Sequence, residues 1–548
     1  MKRLLLISLL AGGSPALFDE VPPAKTGITW THNAGRSERR HLPEAVGSGG
    51  AFFDYDNDGW MDIYLVNSGP AGFFRPETPL RNALYRNNGD GTFSDVAERA
   101  RAAGGVYGMG VAAADYDNDG DTDLFVTAHG STILYRNNGD GAFTDVAAQA
   151  GVRVEGWTTS AAWFDFNQDS WLDLFVCSFA RYTQEDWDTC GRNAEGKPFY
   201  CIPRQFEPAS SLLFQNNGDG TFRRADGGTD IERAKGKALG VVTTDVNNDG
   251  RLDLFVANDT VQNFLFVNRG PGTDGHRWEE IALPAEVAYS LDGQPRSGMG
   301  VDAADVDGDG FEELFVSNVD HEGFALYRNN GDETYADESH LHDIARTTRL
   351  LSGWGLKFFD YNNDGALDLI LANGHPDDMI ERHKRDVQYR EPLLLFEGKA
   401  GKLRDVSAAA GAAFAKPMSA RGLAIGDYDN DGRADVLVIN NNEPPVLIKN
   451  RASQHHWLGL RLIGTRSNRD AVGARITWSA GGVRRIRHKR GGGSYLSSHD
   501  PREILGLGAA TRIDWLEIRW PGPSGTVQRL TDLEVDRYLV IKEAASAK

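Results

Sequence analysis

The chain has 548 residues, of which 63 are glycine and 10% are aromatic, and its formal net charge is −20. This length exceeds one ordinary domain and suits a large repeat domain followed by a smaller one. Abundant glycine with few long helical patterns indicates short strands joined by tight turns. The acidic balance argues against nucleic acid or an anionic membrane surface as the main partner.

The first 16 residues have the pattern of a secretory signal peptide. Lys2 and Arg3 precede an apolar run from Leu4 to Ala11, and small residues follow up to Ala16. We therefore expect residues 1–16 to be removed and the protein to be secreted, either outside the cell, at the cell surface or into a bacterial periplasm. No other run approaches the roughly twenty apolar residues of a membrane span.

The three cysteines fit an oxidising compartment. Cys190 and Cys201 lie in a polar, loop-like stretch and are predicted to form a disulfide. Cys177 ends the apolar run Leu174–Val176 and is predicted to be a buried free thiol. Pairing of the odd cysteine with another chain is the alternative.

One short motif, Asp-x-Asp/Asn-x-Asp-Gly-x-x-Asp, occurs seven times between residues 54 and 435. We number its positions 1 to 9 and its copies loops one to seven. Repetition at near-regular intervals indicates one structural unit per copy. The predicted metal ligands are Asp54, Asp56, Asp58, Trp60 and Asp62; Asp115, Asp117, Asp119, Asp121 and Asp123; Asp165, Asn167, Asp169 and Asp173; Asp245, Asn247, Asp249 and Asp253; Asp305, Asp307, Asp309 and Glu313; Asp360, Asn362, Asp364 and Asp368; and Asp427, Asp429, Asp431 and Asp435.

This ligand set predicts calcium, with up to seven ions. Calcium takes six to eight oxygen ligands in a flexible shell, whereas magnesium prefers a stricter octahedron. Carboxylates at positions 1, 3, 5 and 9 converge on one point, with a backbone carbonyl near position 7, as at Trp60 and Asp121. The alternative is a set of acidic surface turns, in which clustered carboxylates repel one another. An EF-hand is excluded because position 12 is apolar in every copy, for example Val126.

The loops lie between short apolar runs that read as buried strands. A small-residue strand precedes each loop, and Asn-Gly and Asp-Gly turns such as 88–91 follow the third strand. Four strands in each of seven units predict an all-β fold, a seven-bladed β-propeller over residues 17–450. The seventh unit lacks its own fourth strand, so residues 17–22, which contain Phe18-Asp19-Glu20-Val21, are expected to close the ring as that strand.

Residues 455–545 alternate apolar and polar side chains, as in Ala474-Arg475-Ile476-Thr477-Trp478, which predicts a small, β-sandwich-like domain. Its basic run, residues 484–490, has three readings: a site for acidic polysaccharide, a surface that docks on the propeller, or the solvated face of a strand and hairpin.

The seven loops and their strands resemble the FG-GAP or VCBS repeats of the integrin α-subunit head. Residues 469–475, 492–497, 505–508 and 518–521 resemble the ASPIC/UnbV domain. The two in this order look like bacterial relatives of cartilage acidic protein. The resemblance implies a secreted calcium-binding protein associated with adhesion. This chain departs from the pattern at Ser170, where glycine is usual, and at Glu313, where aspartate is usual.

The resemblance also places the calcium loops on one face of the propeller. Loops on the opposite face, around a central channel, are then candidates for binding an extracellular glycan or protein. Ordinary polar loop surface is the alternative for each residue. The candidates are Tyr107, His129, Trp157, Asp259, Arg296, His321, Trp354, His375 and Arg421.

A secreted enzyme is the second functional hypothesis. His129, His321 and His375 would then bind a transition metal or act as acid and base at the channel. No nucleophile motif, His-Glu-x-x-His sequence or phosphate-binding loop supports this reading. An adhesion module is therefore the favoured prediction.

Overall fold

The computed structural model describes residues 16–186, 196, 199–272, 275–452, 455–522 and 525–544. Residues 1–15 of the predicted signal peptide and Cys190 lie outside the described residues. The predicted Cys190–Cys201 disulfide therefore stays a prediction. Cys177 is a free, buried thiol, as the sequence indicates.

Strands β1 to β28 form seven four-stranded antiparallel units. After β1 (Phe18–Val21), each unit takes four strands in chain order, except that the seventh takes three. Their bounds are β2 (Gly50–Phe53), β3 (Asp62–Leu65), β4 (Ala83–Asn87), β5 (Phe93–Asp95); β6 (Tyr107–Ala114), β7 (Asp123–Ser131), β8 (Ile133–Asn137), β9 (Phe143–Asp145); β10 (Glu155–Phe164), β11 (Asp173–Ser178), β12 (Leu212–Asn216), β13 (Phe222–Arg224); β14 (Ala238–Thr244), β15 (Asp253–Asn258), β16 (Phe264–Gly272), β17 (Gly275–Glu280); β18 (Val301–Ala304), β19 (Glu313–Val316), β20 (Ala325–Asn329), β21 (Tyr335–Asp337); β22 (Gly353–Phe359), β23 (Asp368–Asn373), β24 (Leu394–Lys399), β25 (Lys402–Asp405); and β26 (Ala420–Gly426), β27 (Asp435–Asn440), β28 (Val446–Asn450).

The first strands of the units line a common axis. They contact one another in cyclic order, from β2 through β6, β10, β14, β18 and β22 to β26, and β26 contacts β2 again. Small residues such as those of β6 let these strands approach closely, while the apolar second strands fill the spaces between units. Units two and three are also joined into one sheet, because β10 begins by pairing with β7. The all-β fold is thus confirmed.

The N-terminal strand β1 supplies the outermost strand of the seventh unit. It pairs antiparallel with β28, with Phe18 opposite Asn450 and Val21 opposite Leu447. Phe18 is 1% exposed and packs against Tyr361 and Phe414, with ring centroids 5.9 and 5.1 Å away. The two ends of the repeat region are therefore tied together in one sheet.

Residues after β28 form two further sheets around a separate core. Strands β29 (His456–Ile463), β32 (Glu503–Gly508) and β35 (Arg537–Lys542) form one, in which β29 and β35 run parallel. Strands β30 (Arg475–Ala480), β31 (Val483–His488), β33 (Trp515–Arg519) and β34 (Val527–Leu530) form the other. Leu458 and Leu505 from the first sheet share a core with Trp478 and Ile518 from the second. This is a small, sandwich-like β domain, which we call the C-terminal domain.

Helices are short connectors. They are α1 (Pro23–Thr26), α2 (Pro43–Val46), α3 (Ala147–Ala150), α4 (Asp230–Arg233), α5 (Ile344–Thr347), α6 (Ser407–Ala410) and α7 (Ala412–Ala415), with 3₁₀ turns at Gln184–Asp186, Pro203–Gln205, Ser339–Leu341 and Ile380–Arg382. In the described part of the chain, none has the length and apolar character needed to cross a membrane.

Candidate functional site

Each of the seven loops joins the first and second strands of its unit, and backbone N–H groups hold its carboxylates in place. In loop one, Asp54 at position 1 accepts hydrogen bonds from the N–H groups of Asp58 and Gly59, at 3.1 and 3.0 Å. Asp62 at position 9 accepts from Tyr55 and from Asn87 of β4, at 2.9 and 2.7 Å. The position-1 pattern recurs, with small variations, around the ring. Oxygen atoms of positions 1, 3, 5 and 9 are therefore pre-arranged by the fold.

In four loops, three carboxylates offer oxygen atoms that all lie within 4.8 Å of one another. These are the loops with aspartate at position 3. The groups are Asp54, Asp56 and Asp58; Asp115, Asp117 and Asp123; Asp305, Asp307 and Glu313; and Asp427, Asp429 and Asp435.

Loops three, four and six have asparagine at position 3, and its amide oxygen accepts a backbone hydrogen bond within the loop. Asn167, Asn247 and Asn362 each accept the N–H of the position-5 aspartate, at 3.1, 3.1 and 3.0 Å. An amide oxygen remains a calcium ligand but brings no charge, so these three loops attract a cation less strongly.

Several buried oxygen atoms in the four carboxylate groups have no hydrogen-bond partner. They are Asp56 Oδ1, Asp117 Oδ1, Asp429 Oδ1 and Glu313 Oε1. Burial also raises the pKa of Asp62 and of Glu313 to about 8 in the absence of an ion. Buried acceptors without partners are costly, and a divalent cation between these oxygens would satisfy them. The donor set therefore fits calcium.

Position 4 of the motif was missed by the sequence reasoning. Every residue there has a positive φ, from 56° at Asn430 to 82° at Gly308. Asparagine tolerates this conformation better than most residues, and its recurrence at this position was the signal that could have revealed it. The position-4 residues are Asn57, Asn118, Gln168, Asn248, Gly308, Asn363 and Asn430.

These position-4 side chains link each loop to the next around the ring. Asn57 Nδ2 donates to the carbonyl of Gly120 at 3.2 Å, and Asn430 Nδ2 donates to that of Gly59 at 3.0 Å. Asn118, Gln168, Asn248 and Asn363 make the corresponding bonds. Gly308 has no side chain, so loop five cannot reach Gly365. Arg485 of the C-terminal domain donates to the Gly365 carbonyl instead, at 3.1 Å.

Ser170, at position 6 of loop three, adopts a φ of 77°. A residue with a Cβ atom is strained in this conformation by about 1 kcal/mol relative to glycine. Its hydroxyl donates to the carbonyl of Arg466 in the C-terminal domain at 2.5 Å. The serine therefore combines local strain with a contact between domains.

We expect Ser170→Gly to raise the calcium affinity of loop three, because it relieves this strain, and to weaken the contact with Arg466. The matched change Gly250→Ser, at the same position of loop four, should lower the affinity there. Gly250 has a φ of 85° and open space around it, so only backbone strain changes. Calcium titration followed by calorimetry measures both effects. A fall in affinity for Ser170→Gly would contradict the argument and assign the serine a role in holding the ion.

The C-terminal domain covers the face that carries the loops. Arg461 Nη1 lies 3.5 Å from Asp54 Oδ2, and Arg469 Nε lies 3.4 Å from Asp115 Oδ2. Tyr538 donates its hydroxyl to Asp427 Oδ2 at 2.7 Å. All three acceptors are position-1 aspartates, so the domain is placed by the loops themselves.

Residues 491–499 of the C-terminal domain, which we call the channel segment, pass into the centre of the ring. Tyr495 is fully buried, packs against Trp354 with ring centroids 4.9 Å apart, and donates its hydroxyl to the Val46 carbonyl at 3.0 Å. A Cβ atom on Gly49 would lie 1.7 Å from the Leu496 carbonyl oxygen, which shows how closely the backbones approach. The predicted open channel is thus filled by the chain itself.

The channel segment bonds to the first strand of every unit. Ser498 pairs with Gly50 and Phe52 of β2, and Val111 of β6 donates to the Leu496 carbonyl. Leu496 donates to Ser160 of β10, Gly493 to Val241 of β14, and Ser494 exchanges two bonds with Val301 of β18. Ser494 Oγ also accepts from Leu356 of β22 and donates to Leu423 of β26. The segment therefore connects the first strands of all seven units at the centre of the ring.

Five of the nine predicted ligand-face residues are buried, which corrects that prediction. Tyr107, Trp157, Trp354, His375 and Arg421 are each 6% exposed or less. The Arg421 guanidinium lies 4.3 Å over the Trp354 ring and donates to the carbonyl groups of Ala45, Gly374 and His375. These side chains hold the N-terminal segment and the channel segment in place, so they do not face a ligand. His129, Asp259 and Arg296 are half-buried, and His321 is exposed.

The N-terminal segment, residues 31–49, lies across the channel on the side opposite the loops. Tyr107 of unit two donates its hydroxyl to the Ala34 carbonyl at 2.8 Å, and Asn442 of unit seven accepts from the Ala34 N–H at 2.8 Å. Arg40 pairs with Asp378 of unit six at 2.6 Å. The ring is therefore closed at this mouth as well.

The three loop histidines do not form one site. His375 and His321 both bond to Asp320, at 3.0 and 2.6 Å, and the Asp377 N–H donates to the other ring nitrogen of His375. His129 packs among Phe73, Tyr107 and Trp157. Among the described residues, no histidine belongs to a group of three potential metal ligands. The described residues therefore do not bring the three histidines together as one transition-metal site.

The basic run 484–490 docks on the propeller, which was the second of the three interpretations of this run. Arg485 reaches the carbonyl groups of Asp364 and Gly365 at 3.1 Å. His488 lies 2.8 Å from Glu312, which also pairs with Arg490. Within the run only Arg484, its first residue, is exposed.

Sequence comparison identifies the repeats. The FG-GAP-like repeat family matches residues 54–126, 116–176, 205–256, 245–316 and 305–371, and the ASPIC and UnbV family matches residues 464–548. The first set covers more than half of the chain. The chain therefore belongs to the FG-GAP-like repeat family and carries a C-terminal ASPIC and UnbV domain, as the resemblance implied.

Among curated proteins, cartilage acidic protein 1 of Xenopus tropicalis is 26% identical over 348 residues, covering 62% of this chain and 45% of that protein. The protein of the same name from Mus musculus is 28% identical over 232 residues, covering 39% of this chain and 34% of that protein. The match thus spans less than half the length of these relatives.

Two solved lectin structures are similar at a low level. One is an Agrocybe aegerita lectin that recognises non-reducing terminal N-acetylglucosamine (TM-score 0.40, 17% identity, covering 65% of this chain and 79% of that one). The other is the BP39L lectin of Burkholderia pseudomallei (TM-score 0.44, 12% identity, covering 74% and 97%). A likeness at this level carries no argument about what this chain binds.

Proposed function

We propose that the protein is a secreted, calcium-binding β-propeller that serves as an adhesion or ligand-binding module for an extracellular glycan or protein. The observation that carries the calcium part is the set of four three-carboxylate groups with buried, unpartnered oxygen atoms. The N-terminal signal-like sequence supports secretion. Calcium is the resident ion, and its role is to hold the loop face and the C-terminal domain together.

The ligand would bind the outer surface opposite the loops, because the channel is filled. In each antiparallel unit the calcium loop and the turn between the third and fourth strands lie at one end. The connection after the second strand and the connection to the next unit therefore lie at the opposite end, on the proposed binding surface. Three aliphatic side chains in these connections are more than half exposed: Ile202 at 56%, Leu283 at 63% and Leu291 at 79%. Exposed aliphatic residues are ordinary when they are scattered singly, so these positions serve to test the surface and are not themselves evidence of a site.

The test is a binding screen of the mature protein against arrays of glycans and extracellular proteins, with calcium and with chelator. We expect binding only in calcium. Leu291→Asp and Ile202→Asp should weaken it at least about fivefold, as expected for anchor residues. Val527→Asp is the matched control, because Val527 is 49% exposed in the C-terminal domain. Equal loss in all three variants, or binding that ignores calcium, would contradict the proposal.

A further inference from the structure

A cavity of about 180 Å³ lies between the loop face of the propeller and the C-terminal domain. Its walls come from the inner strands of units two, three, five, six and seven and from residues 486–492 and 497–504 of the C-terminal domain. One water needs roughly 10–15 Å³ of such volume, so this space accommodates a small organic molecule. It is separate from the outer surface proposed above for the partner.

Cationic and imidazole side chains form part of the cavity wall, together with seven carboxylates. Lys357 of β22 and Arg487, His488, Arg490 and His499 of the C-terminal domain all contribute to its wall. Lys357 pairs with Asp302 at 3.1 Å, and Arg490 and His488 share Glu312. Arg487 has no carboxylate within ion-pair distance among the described residues. Instead its guanidinium lies 5.6 Å from the Trp478 ring centroid.

Three buried nitrogen atoms of these residues lack hydrogen-bond partners: Arg487 Nη2, Arg490 Nε and His499 Nε2. No buried side-chain oxygen of the described lining residues is left unpartnered in the same way. The buried side-chain polar atoms of the cavity wall that lack partners are therefore all nitrogen donors. Buried polar groups are nearly always satisfied, so a missing acceptor is indicated.

The hydrogen bonds of His499 fix which of its nitrogens is the donor. The Ile425 N–H donates to His499 Nδ1 at 3.1 Å, so that nitrogen carries no proton. Burial, with the charge of Lys357 nearby, lowers the pKa of His499 well below its ordinary value, so the ring is neutral. A neutral imidazole with an accepting Nδ1 carries its proton on Nε2. The unpartnered Nε2 is therefore an N–H donor.

Seven carboxylates share the cavity wall, and all except Glu503 accept a hydrogen bond or pair with a cation; the other six are Asp305, Glu312, Asp360, Asp427, Asp470 and Asp500. Asp500 pairs with Arg502 at 2.6 Å, and Asp470 accepts the Asp115 N–H at 2.9 Å. Asp360 accepts the N–H groups of Asp364 and Gly365. Glu503 lies near both arginines without forming an ion pair within 4 Å of either. The seven carboxylates outnumber the five lysine and arginine side chains of the wall, so the three donors are unmatched because no acceptor is placed beside them, and not because the wall lacks negative charge.

We propose that this interdomain cavity binds a small oxyanion, a carboxylate or a phosphate, which accepts hydrogen bonds from Arg487, Arg490 and His499. Guanidinium groups recognise such planar or tetrahedral oxygen groups well, and charge-assisted bonds in a desolvated site are strong. A bound oxyanion would join the C-terminal domain to the propeller from inside the interface.

The experiment measures thermal stability and calorimetric binding of the calcium-loaded full chain at constant ionic strength and constant free calcium, because citrate and phosphate themselves bind calcium. The probes are citrate, acetate, inorganic phosphate and sulfate, with chloride as the reference. We expect at least one probe to raise the melting temperature in a saturable way. Citrate or acetate alone would identify a carboxylate site, and phosphate or sulfate alone a tetrahedral oxyanion site.

The variants separate this site from general surface binding. Arg487→Met should weaken the effective probe about tenfold to a hundredfold, as expected for lost hydrogen bonds to a charged group. Arg484→Met, an exposed arginine of the same strand β31, is the matched control and should bind as the unchanged protein does. If Arg487→Met fails to fold, Arg490→Lys serves instead, because it keeps a cation beside Glu312 but removes the guanidinium group, including its Nε donor.

Two results would overturn the proposal. One is equal binding by Arg487→Met or Arg490→Lys and the unchanged protein. The other is no effect of any probe together with no oxyanion released when the purified protein is denatured and its small molecules are analysed by mass spectrometry. The latter result would assign water to the cavity.

Discussion

Removal of calcium should lower the melting temperature of this protein by about 10–20 °C. At ten times the dissociation constant, each bound ion stabilises the fold by about 1.4 kcal/mol, so seven ions contribute about 10 kcal/mol. That is comparable with the whole stability of a typical domain, and in a chain of this size it corresponds to the stated shift. The physical cause is the set of clustered carboxylates, which lose a divalent counter-charge and keep only single arginine or lysine partners such as Arg86 and Arg461.

Differential scanning calorimetry with calcium, with magnesium at equal ionic strength, and with chelator measures the effect. Asp117→Asn should also weaken calcium binding at loop two, because it replaces a charged ligand that has an unpartnered oxygen by the amide found at position 3 of loops three, four and six. Asp140→Asn, in the exposed hairpin turn of the same unit, is the matched control. An unchanged melting curve in chelator, or equal calcium affinity at loop two in both variants, would contradict a structural role for the ion.

The second large effect is expected from the channel segment. Tyr495→Ala should destabilise the protein by about 3–5 kcal/mol, as for the truncation of other large buried side chains. The tyrosine ring fills the centre of the propeller against Trp354, and its hydroxyl holds the Val46 carbonyl. Its loss leaves a cavity and also releases the N-terminal segment from the other mouth of the ring.

Tyr495→Phe separates the two contributions, since it keeps the ring and should cost only about 1 kcal/mol. Denaturant unfolding gives the free energies, and limited proteolysis between the propeller and the C-terminal domain reports on docking. We expect faster cleavage in Tyr495→Ala than in Tyr495→Phe. Similar stability of the alanine variant and the unchanged protein would show that the segment is held by its backbone bonds alone.

The sequence predicted the fold class and the positions of the loops because both repeat. Seven copies of the motif, each between apolar runs, leave few alternatives to a ring of β units. The carboxylates of positions 1, 3 and 5 could be assigned because their spacing within one loop sets their geometry. Ser170 was also recognised from its place in the pattern, and its positive φ follows from that place.

The contacts between distant segments could not be predicted in the same way. Arg421 read as a loop residue, yet its partner Ala45 is 376 residues away in the chain, and that contact buries it. Trp157 and Tyr107 were predicted to face a ligand, because a sequence does not distinguish exposed from buried aromatic residues. The channel segment could not be recognised as buried, because its sequence is rich in glycine and serine and shows no periodic apolar residues. Its neighbours in the ring are mainly backbone groups of the first strands.

The pairing of β1 with β28 sets the order in which this chain must be assembled. A strand made at the start of synthesis finds its partner only when residue 450 exists, and the bore of the ring is filled only by residues near 500. Contacts so far apart in the chain give a high contact order, which slows folding. Strand β1 must therefore remain without its partner until most of the polypeptide is present. A chain that ends before the ASPIC and UnbV domain would form the ring with its central channel unfilled.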